Sequence, residues 1–293
     1  MSADTPPRTD VDARGPLGDR RVQRVGYGAM QLERAARHEA IDLLRRALEL
    51  GVDHVDTAHF YKAGHVNEVI GAALAHCRDD VLIATKVGAT NDPAGEYGLS
   101  PAQRPEQLRA EVEANLRSLG VDRIDLVNLR RLDGSGPGIR ASGEQVVDLD
   151  DQLAALADLR RAGTIGHIGL SNVTREQLRR ALPVGIACVQ NHYNLLDRAA
   201  ESVLDECRAH DIAWVPFFPL GSGVTTHPVV RAAAERTGAS PAQVGLAWLL
   251  GHARQTLLIP GTTNVAHLEQ NLRATHVRLD ADTRADLDGL GKR

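Results

Sequence analysis

Three side chains able to share one proton-transfer task stand at the ends of two short apolar runs. Gly51-Val52-Asp53-His54-Val55 leads into Asp56, with Tyr61 shortly after, and Val81-Leu82-Ile83-Ala84-Thr85 leads into Lys86. A tyrosine is a weak acid at neutral pH, with an ordinary pKa of about 10. An ammonium beside its oxygen favours the phenolate and is expected to lower that value. Asp56 would keep Lys86 charged and oriented. A tyrosine so assisted can protonate an oxygen that becomes an alkoxide when hydride arrives.

The positions of these residues follow from the elements that carry them. A strand buried on both faces reads as a short apolar run bounded by turn or helix signals. A polar residue just past such a strand lies at its carboxyl end, where parallel α/β folds gather their ligands. Other polar groups stand at similar exits: Asn128 and Arg130, Ser171 and Asn172, Gln190 and Asn191, and the stretch from Gly261 to Asn264. The glycines in Val25-Gly26-Tyr27-Gly28-Ala29-Met30 would let backbone approach a ligand closely.

Strand and helix patterns alternate along the chain. Strands are expected at Val25–Met30, Val52–Val55, Val81–Lys86, Ile124–Leu129 and Ile165–Leu170. Three more follow at Ile186–Gln190, Ile212–Pro216 and Thr256–Ile259. Helical spacing of apolar residues follows each, as in Leu108, Val112, Leu116 and Leu119 before the stop at Gly120. Ser240-Pro241-Ala242-Gln243 is a helix start with cap, N1 proline and capping-box glutamine. Eight such units in 293 residues predict an α/β fold of the (β/α)8 TIM-barrel type. A doubly wound sheet is the rival, but Gly26-Tyr27-Gly28 lacks the third glycine and the helix of a dinucleotide fingerprint. Residues 1–16 read as a flexible tail and 17–293 as one barrel. Pro16–Arg24 would form a small hairpin about Gly18-Asp19. The glycine-rich loop from Arg131 to Asp148 reads as a mobile flap.

Bulk composition narrows the function classes. The net charge is −4 with scattered Lys and Arg, which gives no nucleic-acid footprint. No run approaches the ~18 apolar residues of a membrane span. The polar, proline-bearing start lacks a secretory segment, so a cytoplasmic location is expected. Cys77, Cys188 and Cys207 have no metal-ligand spacing; they read as reduced thiols, and no metal is expected. The expected partner is a small molecule.

With these residues in place, the chain resembles the aldo-keto reductases from about Val25 to Leu290. Asp56-Thr57-Ala58 with Tyr61, and Ala84-Thr85-Lys86, resemble that family's catalytic motifs. Gly169-Leu170-Ser171-Asn172, Val189-Gln190-Asn191 and Pro219-Leu220-Gly221 resemble its nicotinamide-binding ones. Ile259-Pro260-Gly261-Thr262, with Asn271 beyond, resembles the adenosine-phosphate segment. The resemblance implies a barrel, NADPH as hydride donor and metal-free reduction of an aldehyde or ketone. It makes Asp56, Tyr61, Lys86 and Arg130 the catalytic set. Ser171, Asn172 and Gln190 would hold the nicotinamide carboxamide, and Phe217 would stack on its ring. Gly28, Ala29 and Met30, with Pro219, Leu220 and Gly221, would line the cofactor site. Gly261, Thr262, Thr263, His267, Gln270 and Asn271 would meet the adenosine phosphate, with Asn264 beside them at the helix start.

Two positions depart from the family pattern. Arg130 stands where the family has a catalytic His; Arg cannot give up a proton but can donate hydrogen bonds. Gly261 and His267 replace a Lys and an Arg, which bears on the choice of NADPH over NADH. Val127-Asn128-Leu129-Arg130 and Trp214-Val215-Pro216-Phe217-Phe218 are similar to a bacterial branch that includes pyridoxal reductases. That likeness implies reduction of pyridoxal to pyridoxine. Two rival readings keep the barrel: a non-catalytic NADPH-binding sensor or partner subunit, and a lyase or isomerase that uses Arg130.

Overall fold

The computed structural model describes residues 13–134, 138–221 and 223–291. An antiparallel hairpin comes first, β1 (Arg14–Leu17) and β2 (Arg20–Gln23), turning at Gly18-Asp19. It starts earlier than expected: Arg14 to Pro16 belong to a strand, because Arg14–Leu17 pairs in full with Arg20–Gln23. The rest of the tail lies outside the described residues.

The barrel strands follow, interleaved with helices. β3 (Tyr27–Gly28) precedes α1 (Arg37–Glu49), β4 (His54–Asp56) precedes α2 (His65–Leu74), and β5 (Leu82–Val87) comes next. A side hairpin, β6 (Ala89–Asn91) with β7 (Leu99–Pro101), follows it, built by backbone pairing from Ala89–Pro101 to Asn91–Leu99. Then come α3 (Pro105–Leu119), β8 (Ile124–Arg130), α4 (Leu149–Arg161), β9 (Ile165–Ser171) and α5 (Arg175–Ala181). β10 (Ile186–Gln190), α6 (Glu201–Ala209), β11 (Ala213–Trp214), α7 (Pro228–Thr237), α8 (Pro241–His252), α9 (Val265–Leu272) and α10 (Ala281–Asp288) complete the order.

The seven parallel strands run β3-β4-β5-β8-β9-β10-β11 in space. The eighth segment, Thr256–Ile259, closes the ring through isolated bridges and not as a regular strand. Trp214 pairs with Thr256 on one side and Val25 with Leu258 on the other. Two prolines, Pro216 and Pro260, explain the short ladder, since each removes a backbone donor where pairing would continue. The seam is also tight. A Cβ on Gly28 would collide with the Ile259 carbonyl, and one on Gly261 would lie 2.5 Å from the Gly28 oxygen. These two glycines are required by backbone meeting backbone, before any ligand is considered.

Alternation along the strands sorts side chains between two cores. Ile83, Val87, Val127, Leu129 and Val189 face the helices. Leu82, Ala84, Leu126, Cys188, Val215 and Ile259 fill the barrel, and Leu17 and Val22 of the hairpin close its floor. Asp56, Lys86, Asn128, Arg130 and Gln190 share the inward phase, so they crown that apolar filling. The flap expected after β8 is in part anchored. Leu132 and Ile139 are buried against Ala58, Phe60 and Ala89, which holds the described part of the loop to the mouth by apolar contact; 135–137 lie outside the described residues. Among the described residues, no helix is long and apolar enough to cross a membrane, and no group of three His, Cys, Asp or Glu is placed to hold a metal ion.

A polar knot ties α6 to α8 on the outside. Glu201 accepts from the Tyr193 hydroxyl, from His252 Nε2 at 2.9 Å and from Arg208 Nη1 at 3.3 Å. Burial works against its charge, but His252, Tyr193 and Arg208 prevail and hold the carboxylate at about 2, below the usual 4.5. A depressed carboxylate contributes stability that is full above its unfolded pKa and is lost as pH falls through the folded one. Thermal stability is therefore expected to drop between about pH 4.5 and pH 2 in part through this group. Glu201→Gln should be less stable at pH 7 and show a shallower fall in Tm across that range. An unchanged slope, measured by circular dichroism melting, would remove Glu201 from the account.

Candidate active site

The ends of β4 and β5 place Asp56 and Lys86 side by side, both almost fully buried. Lys86 Nζ donates to Asp56 Oδ1, to the Thr57 carbonyl at 3.0 Å and to the Tyr61 hydroxyl at 3.2 Å. An ammonium has three protons, and these three partners use them all. Gln190 Nε2, from the end of β10, donates to the other Asp56 oxygen at 2.6 Å. Three of the four residues expected to form the catalytic set, Asp56, Lys86 and Tyr61, are thus brought together, with Gln190 joined to them through Asp56.

Behind the strands a second polar chain holds these ends in place. Thr57 Oγ1 donates to Asn67 Oδ1 at 2.8 Å, and Asn67 Nδ2 to Asn115 Oδ1 at 2.9 Å. Thr85 Oγ1 donates to the same Asn115 oxygen at 2.6 Å. All four side chains are buried. The chain links the β4 and β5 ends to α2 and α3, so helix packing fixes where Asp56 and Lys86 point. Nothing in local spacing signals this connection, because it joins four separate segments.

Charge balance in the core departs from the expectation in one respect. Burial pushes the Tyr61 phenol up, and Lys86 and Arg130 pull it down without overcoming that, so the net shift is above 10 and not below it. Burial also opposes the Lys86 charge, but Asp56 and then Tyr61 more than restore it, leaving the ammonium above its usual value. At neutral pH the pair therefore presents a charged Lys86 and a protonated Tyr61. That is the state of a proton donor.

A cleft of about 300 Å³ opens over this core. Asp56, Tyr61 and Lys86 form one wall. Gly28, Ala29 and Met30 form another, facing Phe217, Pro219, Leu220 and Gly221, and Gly261 closes the seam side. Of the lining residues, Gln31 was not read from the sequence at all, and Phe218, Ile259 and Pro260 were named only within motifs, without a role in the site. Phe218 carries φ of +53°, an unusual value for an aromatic residue, and its ring meets Phe217 edge-on at 5.5 Å. Its strained backbone is a signal that only coordinates reveal.

The remaining expected residues lie outside the wall of that cleft. Ser171 and Gln190 end β9 and β10. Asn172, at φ +61°, spends its side-chain amide on the Arg131 carbonyl at 2.9 Å. Thr262 is buried, and its carbonyl accepts from the Tyr27 hydroxyl at 2.6 Å. Thr263 and His267 are exposed near the start of α9; Gln270 and Asn271 follow on that helix. Asn264 caps α9 by accepting from the His267 amide at 3.0 Å, so that amide is not open to an anion. The amides of Val265 and Ala266 have no acceptor among the described residues.

Two buried polar atoms beneath the mouth have no partner among the described residues: Asn128 Nδ2 and Gln190 Oε1. Asn128 reaches the barrel interior because Gly169 leaves room for it; a Cβ at Gly169 would strike Asn128 Oδ1. That oxygen accepts from the Cys188 thiol at 3.1 Å. One unsatisfied donor and one unsatisfied acceptor suit a primary carboxamide, which offers the complement of both. Buried polar groups without partners are uncommon and call for an occupant.

Arg130 ends β8, and its guanidinium carbon lies 5.8 Å from the Phe60 ring centroid. The Phe60 ring in turn meets Tyr61 edge-on at 5.2 Å. Arg130 joins the site by this route and is not part of the cleft wall. Burial lowers its pKa, and Tyr61 acts in the opposite direction.

Comparison with known proteins accords with this arrangement. The model of the Aldo/keto reductase family matches residues 24–292. Pyridoxine 4-dehydrogenase of Escherichia coli is 42% identical over 285 residues, covering 94% of this chain and 97% of that protein. An aldo/keto reductase from Klebsiella pneumoniae, solved with NADP and acetate, superposes with a TM-score of 0.80 at 25% identity and covers 95% of each chain. A thermostable aldo-keto reductase solved with the inhibitor epalrestat gives 0.80 at 29% identity, covering 95% of this chain and 99% of that one. The chain belongs to the aldo/keto reductase family.

Proposed function

We propose that the protein is an NADPH-dependent oxidoreductase that reduces a small aldehyde or ketone to the alcohol, with Tyr61 as proton donor. The observation that carries this reading is the Asp56–Lys86–Tyr61 chain on the wall of the cleft. NADPH, when bound, supplies the hydride to the carbonyl carbon. Tyr61 gives its proton to the carbonyl oxygen as that oxygen gains charge and is then reprotonated from solvent. Lys86 stabilises the phenolate left behind, and Asp56 keeps Lys86 charged and aimed. Because an alkoxide is far more basic than a phenolate, the raised pKa of Tyr61 still permits the transfer.

The residues present suit the cofactor at both ends. Asn128 Nδ2 and Gln190 Oε1 would pair with the nicotinamide carboxamide, and Phe217 would supply an aromatic face. At the other end, the Thr263 hydroxyl and the Val265 and Ala266 amides at the start of α9 would receive the adenosine phosphate. The Klebsiella pneumoniae neighbours bound to NADP and to NADPH support this choice. The Escherichia coli pyridoxine 4-dehydrogenase relative supports pyridoxal and pyridoxine as the substrate pair. The intact Asp56–Lys86–Tyr61 chain weighs against a sensor without catalysis.

Tyr61→Phe should lower kcat by ~10²–10⁴ with pyridoxal while leaving NADPH affinity nearly unchanged, read by stopped-flow and by cofactor fluorescence. Undiminished turnover would end the assignment of Tyr61 as the acid.

Lys86→Met should be similarly damaging, because the buried phenolate then has no cation and Asp56 has no counter-charge. Normal kcat in that variant would show that the ion pair only supports the fold.

For the cofactor, kcat/KM with NADPH should exceed that with NADH by at least ~10-fold, about 1.4 kcal/mol. Equal use of both would mean that Gly261 and His267 leave the start of α9 blind to the extra phosphate.

A further inference from the structure

Lys86 is not the only cation at the barrel mouth, but it is a fully satisfied one. Asp56 neutralises it, and its three protons are taken. Arg130 differs. It lies in the inward phase of β8, in step with Leu126 and Asn128, and pairs in register with Ser171 of β9. Asn128 is itself in register with Lys86. Arg130 therefore stands in the crown of the barrel, one inward position above Asn128.

Among the described residues, no carboxylate pairs with it. Asp133, the carboxylate nearest in sequence, is held by Arg131 through both oxygens and by Gln177 Nε2 at 3.0 and 3.1 Å. Asp56 is committed to Lys86 and Gln190. Among the described residues, no acceptor is bonded to the Arg130 guanidinium. Its neighbours are the face of Phe60 and the backbone of Gly138, where a Cβ would lie 2.8 Å from Arg130 Nη2. Gly138 has φ of +103°, so both its conformation and its proximity require glycine. Phe60 and Gly138 thus border a half-buried planar cation whose charge, among the described residues, is coupled to Tyr61.

We propose that Arg130 determines substrate specificity by binding, as an oxyanion, an acidic hydroxyl on the carbon next to the one bearing the aldehyde. The inference rests on the carbonyl-reduction reading above and names the substrate class of the same site: aromatic ortho-hydroxyaldehydes. Tyr61 and Arg130 flank the same Phe60 ring. On this proposal a substrate whose carbonyl oxygen meets Tyr61 would turn its ortho oxygen toward the guanidinium, which a para oxygen, on the far side of the ring, would not meet. The guanidinium fork matches two acceptors lying in one plane, which the carbonyl and ortho oxygens of a flat aldehyde provide. Pyridoxal has this pattern.

The test compares kcat/KM for salicylaldehyde, benzaldehyde and 2-methoxybenzaldehyde with saturating NADPH. It uses the wild-type protein, Arg130→Met and Arg130→Lys. In the wild type, salicylaldehyde should exceed benzaldehyde by roughly 10- to 150-fold, the range of a charge-assisted hydrogen bond, with a ratio that grows as the hydroxyl ionises. The methoxy compound should fall to the benzaldehyde value. Arg130→Met should bring the ratio close to one, and Arg130→Lys should keep part of it. A ratio that is the same in wild type and Arg130→Met overturns the inference. So does equal wild-type use of the hydroxyl and methoxy compounds, a comparison that needs no variant to fold. If the wild type oxidises NADPH neither with any of the three aldehydes nor with pyridoxal, the carbonyl-reduction reading itself fails. Turnover with all three at similar efficiency removes only the role of Arg130.

Discussion

The rest of the site depends on one buried ion pair. Taking a carboxylate and an ammonium out of water costs several kcal/mol each, and attraction offsets this only when every remaining donor and acceptor is also satisfied. Asp56 and Lys86 meet that condition with Thr57, Tyr61 and Gln190 as the further partners. Removing either member would strand a charge among apolar side chains. The pair therefore joins the ends of β4, β5 and β10 at the mouth, and Tyr61 is positioned as a consequence of the same requirement.

Strand alternation allows such a pair in an otherwise apolar barrel. The inward positions change from leucine and alanine low in the barrel to charged and amide groups at its crown, while the outward positions stay apolar to meet the helices. The buried Thr57–Asn67–Asn115–Thr85 chain lies on the outward side and fixes the same two strand ends from behind. The positions of Asp56 and Lys86 are thus held from inside by charge and from outside by neutral hydrogen bonds.

Much of this was legible in the sequence, for a physical reason. Apolar runs ending in a charge mark both the strand and its functional end, so Asp56, Tyr61 and Lys86 could be placed before any coordinates. The regular strands fall within about two residues of expectation at most places. What escaped depends on neighbours distant in the chain. Gln190 reaches Asp56 through its amide nitrogen, Asn67 and Asn115 tie two strand ends to two helices, and Asn264 caps its own helix. Phe218 is strained by its backbone, which no residue type announces. The glycines of the first strand were expected to admit a ligand, yet Gly28 is first required by the Ile259 carbonyl. The acidity of Tyr61 was misjudged because proximity to a cation is visible in a pattern, whereas desolvation is a property of the filled volume around it.

The seam between Thr256–Ile259 and the first strand has a topological consequence. The cleft draws its walls from Gly28 to Gln31 near one end of the sequence and from Ile259 to Gly261 near the other. Any molecule lodged there touches both banks of the closure at once and acts as a clasp across it. A ligand that binds only the closed ring would stabilise that closure by mass action. The cleft thus borders a joint closed by isolated bridges and not by a regular ladder.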